Sequence, residues 1–297
     1  MIRFRQRAAH LVVGVLTLVV GASIALQPAV SWAISGDVLP DLGALPPRNI
    51  SIDTVRVKGH IENRLRFDTL MANRGTGALE LFPGDSGCDP SARTATRQAW
   101  QRVFNADGSA AVYPVGCMVY HPKHHHWHVE GFAAYRLYPM SGGTVANTPV
   151  ATSNKVSFCM LDMEQVPGMT PAPKRYTTCG PNATMGISVG WADNYYSGLA
   201  DQWIVLPSQI ADGPYCLVNI GNVAAVEYVR SEAGAPLPGL IDAVHTHASN
   251  ANGVQISLSN GGSAVAATTN PCLPTVWTNA RTTAGDTSSG WPIPYAP

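Results

Sequence analysis

The sequence contains few charged residues: Asp, Glu, Lys and Arg make up 13% of its 297 positions, with no net charge. A nucleic-acid-binding protein normally carries clustered Lys and Arg, so this composition argues against such a partner. No stretch has a sustained 3.6-residue apolar period, which argues against a helical fold. Apart from residues 11–26, no apolar run approaches the length that crosses a bilayer. The cysteines include no C-x-x-C pair, a common spacing in zinc and redox motifs.

The first 33 residues have the features of a secretory signal peptide. Three arginines precede an apolar run from Leu11 to Leu26, and Ser31 and Ala33 fit a small-residue cleavage site. We therefore expect residues 1–33 to be removed and the rest to be secreted or extracytoplasmic, without stable membrane association. Removal would leave 16 basic against 19 acidic residues. The alternative is an uncleaved anchor, since the run is long for a signal but short for a membrane span.

All six cysteines follow the predicted signal, and an even number in an exported chain predicts up to three disulfides. They are Cys88, Cys117, Cys159, Cys179, Cys216 and Cys272. The sequence does not choose among the possible pairings. Thiolate ligands for a metal are the alternative use of these residues.

The 28 glycines and 23 prolines indicate frequent turns between short apolar segments. This pattern predicts an all-β fold, an antiparallel β-sandwich with long loops and few or no helices. We expect residues 34–60 to form an extended N-terminal segment, with residues 34–50 on the surface. Residues 61–297 are then expected to form a single domain.

Three segments give less certain secondary-structure predictions. Residues 94–105 fit either a short helix or a strand with Trp100 and Phe104 buried. Residues 190–198 are rich in turn-forming residues and predict a turn. Residues 224–230 are apolar and β-branched enough to predict a strand.

Residues 120–138 contain five of the nine histidines. If this segment is a strand, His124, His126 and His128 share one face, because side chains alternate with period 2. Three converging neutral imidazoles can bind a divalent transition metal, and Cu(II) is favoured over Zn(II) by intrinsic affinity. On a flat strand the outer two Cα atoms would be about 13 Å apart, so the segment must bend, bulge or twist. The alternative is a solvated polar strand without a metal.

Four segments in order carry a resemblance to a known family. They are RLRFDTLMANRGTG (64–77), H-x-x-H-x-H-x-H (within 121–132), KVSFCM (155–160) and GWADNYYSGLADQWI (190–204). Together they resemble the catalytic domain of lysyl oxidases, the copper- and quinone-dependent protein-lysine oxidases. The resemblance extends roughly from Arg64 to Leu258.

The resemblance implies roles for individual residues. Copper is assigned to His124, His126 and His128. Lysine tyrosylquinone, a cofactor made from two side chains, is assigned to Lys155 and Tyr195, with the adjacent Tyr196 as the rival tyrosine. Residues 155–160 are therefore expected to lie beside residues 190–198.

Asp193 matches a family aspartate, and two roles stay open for it: the base for the substrate Cα proton, or a cap for the predicted turn. His121 is not assigned to copper and is either a structural residue, a neighbour of the metal ligands or a base. The second H-x-H pair, His245 and His247, is assigned nothing and is expected on the surface.

The resemblance also has gaps. Cysteines within the motifs of the animal enzymes are replaced here by Lys123, Trp191 and Asp201, so the disulfides must differ. A histidine proposed for proton transfer in those enzymes falls at Ala134, which leaves the base in doubt.

The implied activity is oxidation of primary amines, either protein lysine side chains or small amines, by O₂. The products are an aldehyde, ammonia and hydrogen peroxide. The alternatives are a secreted copper-binding protein without turnover and a zinc hydrolase with three histidine ligands.

Overall fold

Short β-strands dominate the chain, as the frequent turns predict. The computed structural model describes residues 37–88, 94–122, 124–153, 157–180, 184–226, 229–230, 236–237, 239–244 and 247–279. These residues all belong to one unit, Ala33–Pro297. Within the described ranges, no helix is long and apolar enough to cross a membrane.

The strands are β1 (Asp37–Val38), β2 (Leu42–Ala44), β3 (Arg48–Val57), β4 (His60–Asn73), β5 (Leu79–Pro83), β6 (Thr96–Asn105), β7 (Ala110–His121), β8 (His126–Glu130), β9 (Ala133–Ser141), β10 (Thr144–Val145), β11 (Ala151–Thr152), β12 (Ser157–Phe158), β13 (Glu164–Gln165), β14 (Met185–Ile187), β15 (Trp191–Tyr195), β16 (Trp203–Val205), β17 (Gly213–Gly221), β18 (Val229–Arg230), β19 (Pro236–Leu237), β20 (Ala251–Ser259) and β21 (Ala264–Pro271). The short helices are α1 (Val223–Val226), α2 (His247–Asn250) and α3 (Thr275–Asn279).

Three larger antiparallel sheets form the fold. The first has the order β12-β8-β7-β6-β5-β14, with β1 added beside β6. The second has the order β10-β9-β17-β20-β21, with β11 beside β9. The third has the order β13-β15-β4-β16, with β2 and β3 also paired to β4. The prediction of an all-β antiparallel sandwich with few helices is confirmed.

Apolar side chains from all three sheets share one core. Phe67 of β4, Met118 of β7 and Leu137 of β9 are each fully buried in it. In strands such as β6 and β9, buried and partly exposed residues alternate over part of the strand, because successive side chains point to opposite faces of a sheet. The core therefore holds the three sheets in fixed relative positions, together with the residues at the ends of their strands.

Disulfides join all six cysteines as 88–117, 159–179 and 216–272. The predicted three disulfides are thereby confirmed, and thiolate metal ligands do not occur in this oxidised state. Closing a loop of 20 residues, as in Cys159–Cys179, stabilises a fold by about 3 kcal/mol through the entropy of the unfolded chain.

Two predictions about local structure need correction. Residues 34–50 do not lie wholly on the surface, because Leu42 and Ala44 of β2 are buried against β4. In β6, which is a strand and not a helix, Ala99 and Val103 are buried, whereas Trp100 and Phe104 are only partly buried. Ala99, Gln101 and Val103 alternate along β6 and form its buried face, so Trp100 and Phe104 point to the other face.

Two further predictions fail for reasons of tertiary packing. The predicted turn at residues 190–198 contains strand β15, which pairs along β4 from Ala192 to Tyr195. The predicted strand at residues 224–230 is wrong over residues 224–226, which lie in helix α1, but is confirmed at residues 229–230, which form β18. The chain turns there because Asn222 has a left-handed backbone, with φ of 46°, and its carbonyl accepts a hydrogen bond from the N–H of Ala225.

Candidate metal centre and neighbouring tyrosine

The histidine-rich segment is a β-hairpin. β7 ends at His121 and β8 begins at His126, and these two residues face each other across the hairpin. The backbone N–H groups of His124 and His125 both donate to the carbonyl oxygen of His121, over 3.1 and 2.9 Å. His125 has a φ of 58°, a left-handed conformation that is uncommon outside glycine.

This geometry corrects the prediction of one strand through all three histidines. His124 lies in the turn, and only His126 and His128 lie in β8. The expectation that the segment must bend is confirmed, because the turn folds His124 back over the strand. Gly131, with a φ of 71°, follows the end of β8 and separates it from β9.

The three histidines of the motif converge. Their candidate ligand atoms all lie within 4.8 Å of one another. The Nε2 atoms of His126 and His128 are 3.0 Å apart, and the ring of His124 is centred 5.4 and 5.5 Å from those two rings. Such a set of imidazoles fits a copper or zinc ion.

Burial suits these side chains to metal binding. His128 is buried, His126 is partly buried and His124 is exposed, so the cluster opens to solvent on one side. Burial lowers the pKa of His126, and the neighbouring His121 lowers it further. Both effects favour the neutral imidazole, which is the form that binds a metal.

His121 is a fourth histidine at the cluster. Its ring stacks on His124 with a centroid distance of 4.0 Å and lies 5.0 Å from the ring of His128. The sequence left the position of His121 open. The hairpin register decides it, because His121 faces His126 from the neighbouring strand.

Tyr195, at the end of β15, contacts the K-x-S-F-C segment. Its hydroxyl donates to the carbonyl oxygen of Cys159 over 2.6 Å and accepts from the N–H of Cys159 over 2.8 Å. Its ring packs edge-on against Phe158, with centroids 4.7 Å apart. Phe158 is paired with Val129 of β8, so this contact connects Tyr195 to the histidine strand.

The expected neighbourhood of residues 155–160 and 190–198 is therefore present at Cys159 and Tyr195. Lys155 itself lies outside the described residues. Tyr196, the rival tyrosine, is 44% exposed, whereas the hydroxyl of Tyr195 is engaged in the interior. The geometry distinguishes the two adjacent tyrosines, although their sequence positions barely do.

Asp193 is buried in β15, two residues before Tyr195, and pairs with Met71 of β4. The interpretation of Asp193 as the cap of a turn is wrong, because it lies inside a strand. Burial raises the pKa of Tyr195 well above its usual value, and the negative charge of Asp193 raises it further, followed by the effect of Tyr135. Tyr195 is therefore a neutral phenol beside a buried carboxyl group.

Asp193 and Tyr195 both line a small cavity of about 10 Å³. Tyr135 and Thr69 also line it, and their hydroxyl oxygens are 2.9 Å apart. Gln202 donates to the Thr69 hydroxyl over 3.1 Å. Sequence reasoning missed Tyr135 and Thr69, and only the Gln202-Trp203 pair, part of the family motif, pointed toward this network.

The disulfide Cys159–Cys179 lies against the histidine cluster. The sulfur atoms of both cysteines lie within 4.8 Å of a ring nitrogen of His126 and of each other. Cys159 therefore contacts Tyr195 through its backbone and approaches His126 through its side chain. Of the second H-x-H pair, His245 lies outside the described residues, and His247 begins α2.

The lysyl oxidase family model matches residues 94–230 of this sequence. Residues 94–230, slightly under half of the 297 positions, therefore form a region of the lysyl oxidase family. The matched region contains the histidine hairpin, the Cys159–Cys179 disulfide and Tyr195. A search of curated proteins found no match. Lysyl oxidases act on protein lysine with O₂ and depend on copper and lysine tyrosylquinone, and the histidine cluster has the donor set that copper requires.

Proposed function

We propose that this lysyl oxidase family member is a secreted amine oxidase that uses copper and lysine tyrosylquinone. The observation that carries the proposal is the position of Tyr195, whose hydroxyl binds the backbone of Cys159 beside the histidine cluster. A copper carrier needs the histidines alone, and so does a zinc hydrolase. Neither explains a partly buried tyrosine whose hydroxyl is held against the K-x-S-F-C segment.

The proposed reaction converts a primary amine, O₂ and water into an aldehyde, ammonia and hydrogen peroxide. The substrate amine belongs to a protein lysine or a small molecule. Copper and the quinone would supply the electron sink and the reaction with O₂. His124, His126 and His128 would hold the copper.

Lys155 and Tyr195 would supply the two halves of the quinone cofactor. Lys155 precedes Ser157 by two residues in the sequence. Ser157 pairs with Glu130 of β8, and the next residue, Phe158, packs on Tyr195. These contacts of the described part of the segment support the assignment of Lys155.

Asp193 is the proposed base. Asp193 lines the same small cavity as Tyr195, which supports a role in accepting the Cα proton of a substrate amine.

Secretion is part of the proposal. Three disulfides in one chain are typical of an oxidising compartment outside the cytoplasm. The expected signal peptide, residues 1–33, would direct the chain there. The equal numbers of basic and acidic residues, 19 of each, do not suggest nucleic acid as a partner.

Peptide mapping tests the proposed cofactor. Protein matured aerobically with copper should yield the Lys155 and Tyr195 peptides as one joined pair that disulfide reduction does not separate. Protein kept copper-free should yield the two peptides singly. The joined pair should appear together with a visible quinone absorbance and with peroxide release on a primary amine. Two single peptides from fully copper-loaded protein would contradict the proposal and favour a copper-binding protein without turnover.

Copper content tests the histidine cluster. The mature protein should bind about one copper per chain, because three imidazoles converge on one point. His126→Ala removes the central ligand and should remove most of the copper, as measured by elemental analysis after dialysis. His125→Ala is the matched control, since His125 is exposed in the same turn and belongs to no candidate metal group. Full copper in His126→Ala would contradict the assignment.

A further inference from the structure

The Cys159–Cys179 disulfide lies beside His126, and its reduction would provide two thiol ligands for a second metal site. His126, Cys159 and Cys179 place one nitrogen and two sulfur atoms within 4.8 Å of one another. We propose that the dithiol form of this cysteine pair, together with His126, binds Cu(I), and that disulfide formation abolishes the site. This site does not depend on amine oxidation.

Only a small movement is needed to form it. Two sulfurs bound to one tetrahedral metal at about 2.3 Å lie about 3.8 Å apart. The sulfurs of a disulfide are about 2.0 Å apart, so reduction requires them to separate by about 2 Å. Rotation of the two side chains achieves this without backbone movement, because the Cα atoms of Cys159 and Cys179 are already 6.2 Å apart.

The ligand set selects the metal. Two thiolates with one imidazole are soft donors, which favour Cu(I), whereas three imidazoles suit Cu(II). The thiols lose their protons when the metal binds. Cys159 is buried and Cys179 partly buried, so the ion would be sheltered but reachable from the open side of the histidine cluster.

His126 belongs to both metal groups. An ion bound by the cysteines either takes His126 away from His124 and His128 or adds a second cation next to them, and both outcomes oppose simultaneous occupancy. Exchange with an external disulfide would transfer two electrons from the cysteine thiolates to that disulfide. The products are the Cys159–Cys179 bond and two external thiols, and the copper is left with imidazole ligands only.

Anaerobic Cu(I) titration against bicinchoninate tests the proposal. A phosphine reduces the disulfides, taking an oxygen atom from water to form its oxide, and is then removed. Two double variants have equal thiol counts: Cys159→Ser with Cys179→Ser, and Cys88→Ser with Cys117→Ser. The second pair is the matched control, because its cysteines belong to no candidate metal group in the described residues.

The reduced control variant and the reduced wild type should bind Cu(I) at least about tenfold more tightly than the reduced Cys159/Cys179 variant. His126→Ala in the reduced wild type should weaken binding by a similar factor. X-ray absorption of the copper in the reduced control should show about two sulfur neighbours with nitrogen.

Equal Cu(I) affinity in the two double variants would overturn the proposal, because any four thiols would then suffice. The same holds if His126→Ala leaves the affinity unchanged, which is the result expected when reduction unfolds the chain. Circular dichroism of each reduced protein records the fold in parallel. Loss of amine oxidation in any variant does not bear on the result, since the readout is Cu(I) affinity.

Discussion

Tyr195→Phe is expected to abolish peroxide release, the visible absorbance and the joined Lys155 peptide together. A phenylalanine ring lacks the hydroxyl oxygen from which a quinone must be built, so the loss should be complete. The variant should still fold, because it loses the hydrogen bonds of the hydroxyl to Cys159 and keeps the ring packed on Phe158. Each such bond contributes about 1 kcal/mol to the free energy of unfolding.

Tyr196→Phe is the matched control, since it removes the same atom from the adjacent residue. Tyr196 is exposed, so its variant should keep peroxide release, absorbance and the joined peptide. Thermal unfolding of both variants separates a loss of chemistry from a loss of structure. Full peroxide production by Tyr195→Phe would refute the cofactor assignment.

Asp162→Ala is expected to cost the fold about 4 kcal/mol, because it leaves several buried donors without an acceptor. The fully buried carboxylate accepts from the N–H groups of Arg175, Tyr176 and Ser188 and from the hydroxyl of Ser188, over 2.7–3.1 Å. These bonds fix the long connection that carries Cys179. A loss of this size is a large part of the stability of a typical domain.

Chemical denaturation should show the loss as a lower midpoint with an unchanged slope. Asp212→Ala is the control, because Asp212 also accepts two backbone N–H groups, from Asn260 and Gly261, but is exposed. Its loss should stay below about 1 kcal/mol, since water replaces the carboxylate there. Equal midpoints for the two variants would contradict the role given to Asp162.

The alternation of His126 and His128 was predictable because it is local. Residues two apart on a strand share a face whatever the rest of the fold does, so these two imidazoles are neighbours from sequence alone. The sequence correctly placed His124 in the cluster, but on the assumption that a strand contains it. A turn brings His124 there instead. The turn requires a positive φ at His125, which the sequence does not indicate because that residue is not a glycine.

The strand β15 was mistaken for a turn because it contains Asp193 and Asn194 and lies between Gly190 and Gly198, all of which favour turns. Pairing with β4 overrides that preference, and burial makes the pairing favourable. The helix α1 replaced a predicted strand for the opposite reason. Its apolar residues fit a strand, but the chain leaves β17 at Gly221 and turns at Asn222.

The sequence by itself determined the all-β class, the even set of cysteines and the alternating histidine motif, because turn frequency and alternation act over a few residues. The tertiary structure alone decided which cysteines pair, where His121 lies and which of two adjacent tyrosines contacts Cys159. Those contacts join residues up to 56 positions apart, as in Cys216–Cys272. They depend on how the sheets pack around the shared core, and no local pattern in the chain encodes that packing.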